Sequence, residues 1–204
     1  PGIPLGDQIN SDNSPLLNRT ISGLYPPGST FKPVVALAAL KYGIIDKTDK
    51  IFCNGLYTLG NRDFHCWNRT GHGQVNITDA IAQSCDVYFY EIALRLGIER
   101  IAETAKLLGF GAYYDEYFGV SKSIIPNRKW KIDNYSEKWQ KGETLNVGIG
   151  QGFLLSTPLE LAMMTANIIN GGKLIRPRIV KSFSENDMLN SNIDNYNSFK
   201  IEHL

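Results

Sequence analysis

A Pro-Pro-Gly turn, Tyr25-Pro26-Pro27-Gly28, runs into the alanine-rich apolar stretch Thr30 to Lys41, and this junction limits the folds open to the chain more than any other feature. The stretch favours helix, and its apolar composition predicts a buried one, stopped by Gly43. Pro33 fits, because the first turn of a helix has no intrahelical partners for its amides. Ser29 then stands at the helix N-terminus with Lys32 one turn further on. Residues three apart share a face, with about 5–6 Å between their Cβ atoms, so the amine can reach the hydroxyl. Burial and the positive end of the helix dipole both disfavour an ammonium there, which suits Lys32 to act as a base toward Ser29. Taken alone, Ser-x-x-Lys also reads as a serine N-cap beside a solvated lysine.

A second hydroxyl-bearing element lies downstream. Asn76 to Gln83 reads as a short helix and Val87 to Leu96 as a periodic one ended by Gly97. Ser84-Cys85-Asp86 falls at the break between them, where side chains project into a cleft. A hydroxyl placed there can relay a proton to a leaving amine, as acyl transfer requires. Asp86 as a simple helix cap is the competing reading.

Five segments in this order, Pro27-Gly28-Ser29-Thr30-Phe31-Lys32-Pro33, Gly71-His72-Gly73, Ser84-Cys85-Asp86-Val87-Tyr88-Phe89-Tyr90, Gly109-Phe110-Gly111 and Gly148-Ile149-Gly150-Gln151-Gly152 with Thr157-Pro158, resemble the transpeptidase domain of the penicillin-binding protein 2 family. Asp86 followed two residues on by Tyr-Phe-Tyr looks like the cell-elongation branch; the division-specific branch typically has asparagine at that place. The resemblance implies a mixed α+β penicillin-binding, β-lactamase-like serine acyltransferase fold, of which this chain is a helix-rich portion. It also implies a D,D-transpeptidase that cross-links peptidoglycan stem peptides. In that reading Ser29 is the nucleophile, Lys32 the general base, Ser84 the proton relay and Asp86 an organiser of the site. β-Lactams would acylate Ser29, and no cofactor is needed for the chemistry. Implied partners are D-Ala-D-Ala donor and amine acceptor stems and, for a full-length protein, a SEDS-type glycosyltransferase and the elongation machinery. The implied location is the periplasmic face of a bacterial inner membrane. The family's third motif, Lys-Thr/Ser-Gly on an edge strand, is not found among these residues, so the chain is expected to stop short of it and its own activity is doubtful.

Cys53, Cys66 and Cys85 are the three cysteines, and His72 lies in the same interval. Three thiolates and an imidazole would complete a tetrahedral zinc site of the structural type, with no position left for water. Such a metal would tether the 53–73 insert to the Ser84 loop. His72 is preferred over His65 because glycines flank it and because it matches the family's Gly-His-Gly. A Cys53–Cys66 disulfide with Cys85 buried, or three unrelated thiols, are the alternatives left open.

The expected organisation is one incomplete domain over 1–204. It comprises a polar lead-in (1–28), the nucleophile helix (29–43), a loop-rich insert with the candidate metal site (44–77), a helical part with an edge strand (78–183) and a flexible tail (184–204). Within it, Thr78 to Leu108 reads as three helices, and 112–142 resembles the family's variable loop region, a solvated segment whose Arg128, Lys129 and Lys131 read as a wet face, with contact to anionic wall polymer as the alternative. Thr157-Pro158-Leu159-Glu160 reads as a helix start, Met163 and Met164 as core filler, and Lys173 to Phe183 as an edge strand. His203, near the end, reads as exposed.

The composition, 43% hydrophobic and 20% charged, suits a globular domain. A net charge of +1 gives no sign of nucleic-acid binding. No apolar run of about 18 residues is present to span a membrane, and the polar, proline-containing start does not read as a signal peptide. Two other functions stay open: a serine β-lactamase or β-lactam sensor, which typically has Ser-x-Val at the second motif, and a catalytically inactive truncated remnant.

Overall fold

A computed structural model describes residues 17–111, 120–175 and 177. The lead-in up to 16, most of the expected edge strand, the tail and His203 lie outside the described residues.

The chain enters through a short helix α1 (Arg19–Ser22), capped by the Asn18 side chain, and a single 3-10 turn, Gly28–Phe31. That turn leads into α2 (Lys32–Lys41), with proline in its first turn. Lys32, Val34, Val35, Ala36, Ala38 and Ala39 of α2 are all buried, so the helix lacks a polar face and serves as the axis of the core. Gly43, at φ 60°, ends the segment in the left-handed region where glycine is at ease.

The segment expected to be loop-rich carries four short strands. β1 (Ile51–Cys53) pairs antiparallel with β4 (Gly73–Val75), setting Cys53 opposite Gly73. β2 (Leu56–Leu59) pairs antiparallel with β3 (Arg62–His65) across a Gly60-Asn61 turn. Their apolar alternation is brief; the register rests on pairs such as Tyr57 opposite Phe64, and Phe64 and Tyr57 both pack on the Tyr90 ring. Three or four residues are too few to produce a readable period in the sequence.

Three helices follow: α3 (Ile77–Ala82), α4 (Asp86–Leu96) and α5 (Ile98–Leu107). Gly97, at φ 76°, turns the chain between the last two. Tyr88, Phe89 and Ile92 of α4 are fully buried against α2, and burying Phe89 and Ile92 stabilises the fold by about 1.5–3 kcal/mol each relative to exposure.

In the described part of the 112–142 segment, Arg128 and Lys129 are exposed as expected, but Lys131 is not, and helix stands where a loop was expected. The segment contains α6 (Arg128–Tyr135), capped by Asn127, and leads into α7 (Lys141–Gly148), whose start has a reciprocal Gln140/Glu143 capping box. Lys131 is buried: its ammonium meets Glu143 at 2.8 Å and Glu137 at 3.2 Å, and lies over the rings of Tyr135 and Phe153. A lysine with a buried stem and a paired head is what makes this helix unreadable as an apolar stripe. Those carboxylates raise the Lys131 pKa, led by the Glu143 hydrogen bond.

α7 packs on α4 closely enough that a side chain on Gly148 would collide with Ala93. The last helix, α8 (Pro158–Ile169), begins as its sequence predicts, with Thr157 capping, proline at its first position and Glu160 reaching back to the cap. Met163 and Met164 are buried in it. Among the described residues no helix is long and apolar enough to cross a membrane.

Candidate active site

The exposed hydroxyl of Ser29 sits in the 3-10 turn, and the backbone around it is pinned from two sides. Thr30 Oγ1 donates to the Pro27 carbonyl at 2.7 Å, and Gly28 N–H donates to the Gly150 carbonyl at 2.8 Å. Gly150 has φ 75°, and a Cβ there would run into the Gly28 carbonyl oxygen. Both facts demand glycine, so the Gly148-Ile149-Gly150-Gln151-Gly152 segment acts as a backbone rest for the Ser29 turn.

Lys32, the first residue of α2, is 2% exposed. Its ammonium nitrogen donates to Asp86 Oδ1 at 2.7 Å, Ser84 Oγ at 2.9 Å and the Ser84 carbonyl at 2.8 Å. It also lies 5.5 Å from the centre of the Phe89 ring. Three good acceptors offset the cost of burying the amine. Ser84 Oγ in turn lies 2.9 Å from Ser29 Oγ and donates to it. The hydrogen bond reaching Ser29 thus comes from Ser84, and Lys32 stands one hydroxyl further back. Ser84 adopts φ 52°, a left-handed conformation costly for a residue with a Cβ and commonly found at functional sites. Asp86 opens α4, where a carboxylate favours the helix dipole; its second oxygen accepts from the Trp67 backbone N–H at 2.9 Å.

The structure brings Ser29, Lys32, Ser84 and Asp86 into one connected set. It is suited to nucleophilic acyl transfer: an accessible hydroxyl, a second hydroxyl able to pass its proton, and a buried amine at the end of the relay.

A second cluster stands behind it. Cys53 at the end of β1, Cys66 after β3, His72 before β4 and Cys85 before α4 present ligand atoms that all lie within 4.8 Å of one another. His72 Nδ1 is 3.5 Å from Cys53 Sγ and 3.6 Å from Cys66 Sγ. A tetrahedral zinc ion with ordinary Zn–S and Zn–N bonds puts neighbouring sulfur and nitrogen about 3.5 Å apart, so the donor set and its spacing fit such an ion. The three cysteines are unbridged, and His65 lies outside the cluster, exposed, its carbonyl accepting from the Tyr90 hydroxyl. Burial pushes the Cys85 thiol pKa well up, with the neighbouring Cys53 adding to the shift.

Two contacts had no readable signal in the sequence. Gly150 was legible only as part of a glycine-rich segment, without its partner Gly28. Trp67 gave no sign of its bond to Asp86, nineteen residues on.

Residues 6–204 match the family described as the penicillin binding protein transpeptidase domain. The chain belongs to the penicillin-binding protein transpeptidase family. It is 41% identical, over 83% of its length, to the peptidoglycan D,D-transpeptidase MrdA of Acinetobacter baumannii, and 37% identical, over 86%, to that of Salmonella typhimurium. It spans only 26% and 29% of those two proteins. Among solved structures it is similar to Pseudomonas aeruginosa PBP2 in complex with WCK 5153 (42% identity, TM-score 0.81, 89% of this chain and 42% of that one). It is also similar to Helicobacter pylori PBP2 in complex with MreC (35% identity, TM-score 0.77, 86% and 34%). The chain therefore has the penicillin-binding transpeptidase fold, and PBP2 proteins are among its relatives.

Proposed function

We propose that this chain carries the acylating centre of a peptidoglycan D,D-transpeptidase, and the observation that carries the reading is the hydrogen-bonded line Lys32–Ser84–Ser29. Ser29 Oγ attacks the carbonyl carbon of the D-Ala-D-Ala peptide bond. Its proton passes through the Ser84 hydroxyl toward Lys32 in its amine form, for which hydroxyl rotation is enough. The Ser29 backbone N–H faces the developing oxyanion. The C–N bond then breaks, the terminal D-alanine leaves after its amine takes the proton back along the same line, and an ester to Ser29 remains. A second stem's amine attacks that ester, forms the cross-link and restores the Ser29 hydroxyl. Asp86 holds Lys32 in place throughout. A β-lactam enters the same first step because its strained amide stands where the donor's peptide bond would.

We also infer that Cys53, Cys66, His72 and Cys85 hold one structural zinc ion. Bound there, it would supply no chemistry to the reaction; it would tie β1, β3 and β4 to the residue preceding α4. The likeness to a PBP2 seen in complex with MreC favours a place in the cell-elongation machinery, beside a glycan polymerase, on the periplasmic face of the inner membrane.

The test is to incubate the full-length gene product with a penicillin and weigh it intact beside Ser29→Ala. Addition of one penicillin to the wild type alone is expected. No addition to folded wild type, or equal addition to both, would overturn the assignment of Ser29.

A further inference from the structure

Trp67 follows Cys66 directly and is 64% exposed as a residue. Both of its polar hydrogens are nevertheless committed to one short stretch of chain. The backbone N–H donates to Asp86 Oδ2 at 2.9 Å, and the indole Nε1–H donates to the Gln83 carbonyl at 3.0 Å. These two acceptors flank Ser84, one on each side. The ring also meets His72 edge-on, with centroids 5.4 Å apart, which fixes it from behind.

Ser84 between those acceptors has the left-handed φ noted above, a conformation that persists only where the surroundings hold it. Besides the backbone bonds to α3 and the Ser84–Ser29 bond, residues 83–86 receive two hydrogen bonds from Trp67 and three from Lys32, which meet different oxygens of Asp86: Oδ1 accepts from Lys32 and Oδ2 from Trp67. If the Trp67 side loosens, both the hydroxyl and the carboxylate that Lys32 meets are free to drift from Ser29. The proton relay requires oxygen-to-oxygen distances near 2.9 Å, so small drift has a kinetic cost.

We propose that Trp67 is a positioning residue of the acyl-transfer centre, bracketing Gln83 and Asp86 so that Ser84 keeps its hydroxyl between Lys32 and Ser29. This rests on the function proposed above, and the test separates the two. In the full-length gene product, Trp67→Phe keeps an aromatic ring beside His72 and leaves Cys66 and Asp86 untouched while removing the indole donor. Penicillin acylation is resolved into the dissociation constant of the pre-covalent complex and the acylation rate constant. The rate constant should fall about fivefold to tenfold, the effect of one well-placed hydrogen bond, with the dissociation constant within about twofold of wild type. A rate constant within about twofold would overturn the proposal. So would a loss confined to the dissociation constant, which would make the ring a ligand contact.

Hydrogen exchange on the free protein gives the second readout. Amides of residues 83–86 should exchange faster in Trp67→Phe, while those of α2 and α5 stay as in wild type; unchanged exchange at 83–86 overturns the bracket. Were the wild type not acylated at Ser29, the functional reading would fail and the exchange data would still decide the role of Trp67.

Discussion

The two halves of the proposed catalytic centre are held by different physics. Ser29 and Lys32 ride on a turn and helix secured by apolar burial and backbone bonds: Phe31, Val34 and Val35 are fully buried, and Gly28 is fastened to Gly150. Ser84 and Asp86 lie on a bend secured by side-chain chemistry, with Cys85 between them in the Cys/His cluster and Trp67 bracketing the bend. Burial is spread over many atoms and degrades gradually, whereas a four-ligand cluster and a pair of hydrogen bonds can fail at a single substitution. The nucleophile side is therefore expected to tolerate conservative change, and the relay side to be sensitive to single polar changes and to metal removal.

Lys32→Met tests the meeting point of the two halves and should have the largest effect. It keeps an unbranched side chain in the core but removes the amine from Ser84 and Asp86, so acylation should fall by about 10²–10⁴ with far-UV circular dichroism unchanged. Retained acylation would refute the role of Lys32 as base. Ser84→Ala removes the relay alone. A water molecule can partly substitute for a hydroxyl, so a fall of about 10-fold to 10²-fold is expected in single-turnover acylation. An unchanged rate would leave Ser84 a bend residue only.

Cys66→Ser, or prolonged chelation, sharpens the contrast from the other side. Metal analysis of the wild type should find about one zinc per chain, and the variant should bind it more than about 100-fold more weakly. Its unfolding midpoint should drop, with the relay bend exchanging hydrogen before α2 does. Detection of a Cys53–Cys66 bridge in metal-free native protein would remove the basis for the zinc assignment.

The same contrast explains what could be read from the sequence. α2 was legible because an alanine-rich apolar run with a proline in its first turn and Gly43 at its end has few alternatives. α8 was legible because Thr157, Pro158 and Glu160 spell out a helix start. The strands around the cysteines and helix α6 were not, because their stability comes from partners remote in sequence: Tyr90 under the β2–β3 pair, and Glu143 and Phe153 around Lys131. The candidate site residues come from short motifs, yet the order of the hydrogen bonds, with Ser84 between Lys32 and Ser29, needed the left-handed bend at Ser84, which no local pattern announces.

Glu160 offers the smallest expected effect on chemistry and a control for the whole comparison. It is another buried charged side chain, 1% exposed, but unlike Lys32 it is satisfied by hydrogen-bond donors of the surrounding fold. Oε1 accepts from the Gly111 N–H at 2.9 Å; Oε2 accepts from the Thr157 N–H at 3.1 Å, from the Thr157 hydroxyl at 3.2 Å and from the Ser123 hydroxyl. Each oxygen faces a backbone N–H, which can only donate, so an amide in its place must turn its NH2 group toward Gly111 N–H or Thr157 N–H and leave that donor without its acceptor. Glu160→Gln should therefore cost about 1–3 kcal/mol of stability, read as a lower denaturant midpoint, while the penicillin acylation rate constant of the folded protein stays within about twofold of wild type. Lys32→Met should do the reverse, losing acylation out of proportion to stability. If Glu160→Gln slowed acylation as much as it destabilised the fold, the carboxylate that ties Gly111 and Ser123 to the start of α8 would be part of the catalytic scaffold, and the division between a burial-held half and a side-chain-held half would have to be redrawn.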